Sequence, residues 1–213
     1  MRTVLVTGFG PFPGAPFNPS GPLVQRLARL RRPAFAGVRL IPHVFATSYR
    51  SVDRDLPQLI AQHQPDIVLM FGLATRSRHV RIETQARNTL AAMPDASGFA
   101  PAARAIGRML RPRLPIRAPR IALLRAARSG RIPARLSRDA GRYLCNYLYW
   151  RSLEAAAQAH GPRLVAFVHI PNVRRNPARR RGGRRPFSLD DLAQTGEKLL
   201  AAAVAALNQR PRQ

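Results

Sequence analysis

A disulfide framework is the first thing this chain cannot build: Cys145 is the only cysteine in 213 residues. That excludes an internal disulfide and any paired-cysteine metal knuckle. Acids are scarce too, 10 against 36 basic residues, and Lys198 is the only lysine, for a formal net charge of +26. Five scattered histidines give no metal-ligand spacing, so no metal and no cofactor are expected. No apolar run approaches the ~20 residues of a membrane span. The opening "MRTVLVTGFGPFPG" meets glycine and proline too early for a signal peptide. These absences lead us to expect a soluble, cytoplasmic protein with no membrane partner.

The arginine excess raises a nucleic-acid reading, since phosphate binding begins with such a surplus. However, arginine, alanine and proline without lysine are also what a GC-rich genome writes into any surface. The arginines are scattered except in "RRNPARRRGGRR" at 174–185. Nucleic acid is therefore disfavoured as a partner, and the charge speaks to solubility and steering rather than to fold.

What is present alternates between strand-like and helix-like runs. "TVLVTGF" (3–9) reads as a first strand, followed by a helix with Ser20 as its N-cap. "GVRLIPHVF" (37–45) and "SVDRDLPQLIAQHQ" (51–64) repeat the pattern. "DIVLMFGLA" (66–74) carries a continuous apolar run after its first Asp, as in a strand covered on both faces. "HVRIETQARN" (79–88) alternates and predicts a more exposed strand. Residues 93–115 read as a Pro-, Gly- and Ala-rich excursion. Beyond it come a helix ending near Gly130, a strand at 133–138, a helix over 141–160 and a strand at 163–170. Ser188, followed by Asp190 and Asp191, starts a last helix. The alternation predicts an α/β fold, a single-domain three-layer α/β/α sandwich with a mostly parallel central sheet spanning 1–213, with 174–185 a surface loop within it.

In such sheets working residues gather at the carboxyl ends of strands. Cys145 opens a helix, His169 closes the strand "LVAFVHI", and Glu83 follows the central strand. Nucleophile, base and orienting carboxylate are the roles these three types fill together. A helix N-terminus lowers a thiol pKa, and its unpaired N–H groups can hold an oxyanion. Of three glutamates, Glu154 and Glu197 lie far along helices, which leaves Glu83. Taken one at a time, each residue has a plainer reading: a small core filler, a hydrogen-bonded core histidine and a solvated acid.

The ordered segments resemble the pyroglutamyl peptidase I (pyrrolidone-carboxylate peptidase) family of cysteine peptidases. "VLVTGFGPFPGAPFNPS" is similar to its N-terminal signature and "GLATRSRHVRIETQARN" (72–88) to its glutamate motif. "LSRDAGRYLCN" (136–146) resembles its cysteine motif and "FVHIP" (167–171) its histidine motif, with the same 24-residue interval between Cys145 and His169. The resemblance implies Cys145 as nucleophile, His169 as base and Glu83 as orienting acid. It implies Phe9 and Phe12, with Tyr143 and Leu144, around a flat lactam ring, which suits aromatic walls. The implied reaction is hydrolysis of the amide after an N-terminal pyroglutamyl residue of peptides and proteins, with no cofactor. The family also includes homo-dimers and homo-tetramers.

Several positions depart from the family pattern. Thr84 and Gln85 follow the glutamate, and Ala91, Ala92 and Met93 stand across a lost Asp and Arg. His43 replaces a threonine, and Asp139, if close to Cys145, would raise the thiol pKa. The arginines of 174–185 would rim the site and favour acidic residues after pyroglutamate, or form a solvated loop. These departures keep two alternatives in view: a related cysteine amidase of altered specificity, or a catalytically impaired relative acting as a basic binding protein.

Overall fold

The architecture is that of a computed structural model, which describes residues 1–107, 111–173 and 186–209. The Arg-rich stretch 174–185 lies outside the described residues. Eight strands and five α-helices follow in the order β1 (Arg2–Phe9), α1 (Ser20–Ala28), β2 (Val38–Phe45), α2 (Tyr49–His63), β3 (Ile67–Leu73), β4 (Val80–Glu83), β5 (Gln85–Arg87), β6 (Arg113–Pro115), α3 (Arg120–Arg128), β7 (Ala134–Ser137), α4 (Leu144–Ala155), β8 (Leu164–Ile170) and α5 (Leu189–Asn208).

Six strands form one sheet in the order β2-β1-β3-β8-β4-β7, and β5 and β6 pair separately. Neighbours are parallel except at β8–β4, so β4 and β7 run against the other four. The expected mostly parallel α/β sheet between helical layers is what forms. Along β3, Ile67, Leu69 and Phe71 pack into one core with Leu23, Leu123 and Leu199 of α1, α3 and α5. Val68 and Met70 pack into a second core with Val52 of α2 and Leu148 of α4. Burial on both faces explains why this strand carries no polar residue. Among the described residues, no helix is long and apolar enough to cross a membrane.

Local chemistry places most ends. Ser188 and Asp191 form a reciprocal capping box at the start of α5: the Ser188 hydroxyl accepts from Asp191 N–H, and the Asp191 carboxylate accepts from Ser188 N–H at 2.8 Å. Ser20 is a correction. Pro19 is the N-cap of α1, with no side-chain cap bond. The Ser20 hydroxyl instead accepts from Phe9 N–H at 3.0 Å and lies 2.8 Å from Asn18 Oδ1, so it ties the end of β1 to the helix.

The second correction concerns 79–88. This segment is not one exposed strand: it divides at Thr84 into β4, inside the sheet, and β5, outside it. The alternation is real, but the polar face of β4 is covered, with Glu83 fully buried. Alternation reports two different environments on the two faces, and here the second is a polar site rather than water. The described part of the excursion, 93–107 and 111–115, is largely irregular apart from β6, as expected. Asp95 organises its start, accepting from the N–H groups of Tyr49, Ser97 and Phe99.

Candidate active site

Strand register assembles the site. Gly72 on β3, His169 on β8 and Arg81 on β4 lie side by side in one row across the sheet. Phe167 and Glu83 form the adjoining row. All five face the α2/α4 layer. Glu83 is reached by an unexpected route. Because β4 runs antiparallel to β8, its end lies beside Phe167, two residues before His169, rather than at the carboxyl edge of the parallel strands. From there the carboxylate reaches along the strand to the imidazole.

Glu83 Oε1 lies 2.8 Å from His169 Nδ1, with the two residues 0% and 4% exposed. A carboxylate only accepts, so Nδ1 carries the proton and donates it to Oε1. That tautomer is assigned from the hydrogen-bond pattern. Nε2 is left as the acceptor nitrogen of the ring. Arg81 adds a third charge: its Nη2 is 3.2 Å from Nδ1 and its Nε 3.3 Å from Glu83 Oε1. The other carboxylate oxygen, Oε2, is buried without a hydrogen-bond partner.

Cys145 is the second residue of α4, as its expected place in a first helical turn requires. Gly141, at φ +84°, makes the turn that leads into it, a conformation glycine adopts without a Cβ penalty. Tyr143, with extended backbone, is the N-cap and offers no side-chain cap. Two polar contacts fix the helix against the strands. Buried Asn146 accepts from Arg87 N–H at 2.8 Å and donates to Arg87 O at 2.8 Å and Thr89 O at 3.2 Å. The Tyr149 hydroxyl donates to the Glu83 carbonyl at 3.0 Å.

The missing side chain of Gly72 makes room for the thiol. A Cβ built there would lie 2.8 Å from Cys145 Sγ and 2.7 Å from the Phe167 ring. The sulfur thus sits over Gly72, the sheet neighbour of His169. Among the described residues no hydrogen bond joins the thiol to His169. Cys145 is half-buried; burial, then the charge of Glu83, push its pKa up to about 12, against a smaller lowering by Arg81 and by its own backbone N–H. Sequence position promised an activated thiol at a helix terminus; enclosure outweighs the terminus, because desolvation penalises the thiolate directly.

The remaining expected residues divide. Phe9 packs against Phe45 with ring centroids 5.9 Å apart and lies in the core, as does Leu144. Phe12 is half-buried in a tight turn closed by paired backbone bonds with Ala15. Tyr143 is half-buried, its ring edge-on to Tyr49 and its hydroxyl donating to Pro94 O at 3.0 Å. An apolar groove of about 800 Å³ between α2 and α4, lined by Val52, Leu56, Ile60 and Ala155, contains none of these residues.

The departures also find places. Asp139 does not act on the thiol: it is exposed, accepts from Gly141 N–H and pairs with Arg87 at 3.4 Å, so the acid that raises the thiol pKa is Glu83. His43 faces Asp55 on α2 at 3.4 Å, with its ring against Phe45. Thr84 and Gln85 donate to the carbonyls of Ser137 and Arg138. Arg81 is the residue that sequence reasoning missed. Its only signal was its place two before Glu83 on an alternating strand, which puts both side chains on one face.

Comparison with known proteins identifies the family. A family model described as pyroglutamyl peptidase matches residues 2–209. The chain is 33% identical over 171 residues to the pyrrolidone-carboxylate peptidase of Thermococcus onnurineus, covering 80% of this chain and 84% of that one. It is 36% identical over 177 residues to that of Clavibacter michiganensis, covering 80% and 79%. Among solved structures it resembles the pyrrolidone carboxyl peptidase from Thermococcus litoralis, with a TM-score of 0.87, 25% identity and 98% and 96% of the two chains covered. Pyroglutamyl peptidase I of Bacillus amyloliquefaciens follows at a TM-score of 0.81, 27% identity and 98% of both chains.

Proposed function

Because the chain belongs to the pyroglutamyl peptidase family, we propose that it is a cysteine exopeptidase hydrolysing the amide bond after an N-terminal pyroglutamyl residue. The observation that carries this reading is the buried Glu83–His169 hydrogen bond in the strand row over which Cys145 Sγ sits.

In the proposed mechanism the thiol keeps its proton until substrate arrives. His169 Nε2 then takes that proton while Sγ attacks the pyroglutamyl carbonyl carbon. Glu83 holds Nδ1–H and steadies the imidazolium that forms. The new oxyanion is held by backbone N–H groups at the start of α4, which have no partner within the helix. As the intermediate collapses, the C–N bond breaks, His169 returns the proton to the leaving amine, and a thioester remains on Cys145. Water, deprotonated by His169, attacks the thioester, and release of pyroglutamate restores the thiol. Phe12 and Tyr143 line the lactam pocket, with Phe9 and Leu144 behind them as its core backing. Pyroglutamate has no free amine, so the site needs no carboxylate or metal to receive an ammonium.

Incubation with a pyroglutamyl-arylamide under reducing conditions tests the activity. Arylamine release is expected, and its absence from folded protein would reject the reading. Cys145→Ala is expected to lower turnover by about 10⁴-fold or more while the circular-dichroism melt stays sharp; retained turnover would sink the mechanism. The same proposal takes the chain as one domain acting on peptides in the cytoplasm, as a homo-dimer or homo-tetramer. Light scattering checks its assembly.

A further inference from the structure

The reaction above uses three side chains, yet a fourth touches two of them. Arg81 stands on β4 beside His169, two residues before Glu83. An arginine near a sheet margin ordinarily carries its head to water, as exposed Arg135 does in the neighbouring position on β7. The Arg81 side chain is instead only 23% exposed, and its Nε is enclosed with no acceptor aligned for a hydrogen bond. Enclosing a guanidinium is costly unless a charge partner faces it. Glu83, 0% exposed and 3.3 Å away, is that partner.

The contact with His169 is of a different kind. Nδ1 cannot donate to Glu83 and accept from Arg81 at the same time. The carboxylate at 2.8 Å is the nearer, anionic acceptor and takes the Nδ1 proton. Arg81 Nη2 at 3.2 Å then stands beside the ring as a positive charge, not as a hydrogen-bond donor. Its effect is therefore electrostatic, and it acts on Glu83, 3.3 Å away, and also on the thiol. Without it, a wholly buried carboxylate and a developing thiolate would be two anions in one enclosed space.

Few other charges share that space. On β4 the groups are Glu83 and Arg81, on β8 His169, and at the start of α4 Tyr143, whose own ionisation is opposed by burial first, then by Asp95 and Cys145. Gly72 and Phe167, against the sulfur, are uncharged. Tyr149 bonds the Glu83 carbonyl and stays protonated. On the elements packed against α4, Arg87 of β5 pairs with Asp139, and Asp53 of α2 pairs with Arg151 and the Tyr147 hydroxyl.

We infer that Arg81 is a positioning residue of the site: it neutralises the buried Glu83 carboxylate, so that Glu83 can hold His169 at Nδ1 without suppressing the Cys145 thiolate. This rests on the peptidase reading, and it assigns the chain's own fourth member to the constellation. The net charge of the group during attack is then zero, with thiolate and carboxylate matched by imidazolium and guanidinium.

The single cysteine makes the test clean, since iodoacetamide incorporation reports Cys145 alone. Alkylation rates of the full-length protein are measured from pH 6 to 11. Arg81→Gln is expected to slow alkylation at pH 8 about tenfold and move the profile up by about one pH unit. It is also expected to lower kcat on the arylamide with KM changed less than about twofold. Arg81→Lys restores most of the alkylation profile, because it keeps the charge. In a Glu83→Gln background the same Arg81→Gln change costs kcat less than it does in the wild type, because no carboxylate remains to balance, while the alkylation profile still shifts through the direct action of Arg81 on the thiol. Arg81→Met, which keeps the stem's bulk, carries the same expectation and serves if the Gln variant does not fold. An unshifted profile in folded Arg81→Gln or Arg81→Met would overturn the inference, as would an equal loss of kcat with and without the Glu83 charge. Alkylation needs no substrate, so a wild-type protein that released no arylamine would reject the peptidase reading separately.

Discussion

The two faces of the central sheet are built from different materials. On the α1/α3/α5 side the core is chiefly aliphatic, with Val4, Val6, Leu69, Val80, Ile82 and Val168 meeting Leu23, Leu123 and Leu199. On the α2/α4 side aliphatic residues such as Val52, Leu56 and Leu148 are joined by a larger set of aromatics, Phe9, Phe45, Tyr49, Tyr149, Trp150 and Phe167. That side also holds the buried Glu83 and His169 and the sulfur over Gly72. Strand β4 shows the contrast within four residues: Val80 and Ile82 go to the first face, Arg81 and Glu83 to the second. One face holds the strands in place, and the other uses that rigidity to hold a carboxylate, a guanidinium and an imidazole close together. The difference teaches that stability and chemistry are separable here, and substitutions can be chosen to strain one and spare the other.

The largest effect expected on the chemical face after loss of the nucleophile is from Glu83→Gln. It keeps the shape but removes the charge that receives Nδ1–H and faces Arg81, so kcat should fall by about 10²–10⁴-fold and the thermal midpoint should drop with it, because the enclosed guanidinium loses its partner. A fall under tenfold on the arylamide would mean that Glu83 is no orienting acid. On the scaffold face, Leu199→Ala should cost about 2–5 kcal/mol in urea unfolding while kcat/KM below the transition stays within about twofold. A comparable loss of activity would break the division between the faces. Gly72→Ala probes their meeting line: a Cβ 2.8 Å from the sulfur and 2.7 Å from the Phe167 ring forces repacking. About 1–3 kcal/mol of stability and much of the activity should go together.

The smallest effect is a slope with pH. Cys145 and Tyr49 are both raised to about 12, chiefly by burial. Below their ordinary values both are protonated in folded and unfolded chains, and their contribution to stability is fully present. Between about pH 9 and about 12 the unfolded chain releases protons that the folded chain keeps, so stability falls as pH rises through that window. Denaturation midpoints at pH 8, 10 and 11 should show the decline, and Cys145→Ala should make it shallower. An unchanged slope would place the thiol nearer to water than the fold indicates.

Much of this was legible without coordinates, for local reasons. The run 67–73 is apolar at every position because both faces of β3 are covered. Ser188 and Asp191 announce α5 because a capping box is made within four residues. Ser20 misled because its hydroxyl finds a better-placed partner in Phe9 than in its own helix, a contact between residues 11 apart. The 79–88 segment misled because alternation states that two faces differ without saying what lies beyond each.

The sequence alone determined which groups were available: one thiol, a few acids, an imidazole closing an apolar strand, and the ordered motifs that place the chain in its family. These are properties of residue type and spacing, which survive in one dimension. The direction of β4, the reach of Glu83 to His169, the seat of the sulfur over Gly72 and the capture of Arg81 were decided by tertiary structure alone. Each depends on what stands across a strand pair or beneath a helix, and such neighbours are brought together by packing, from residues as far apart as 88 positions.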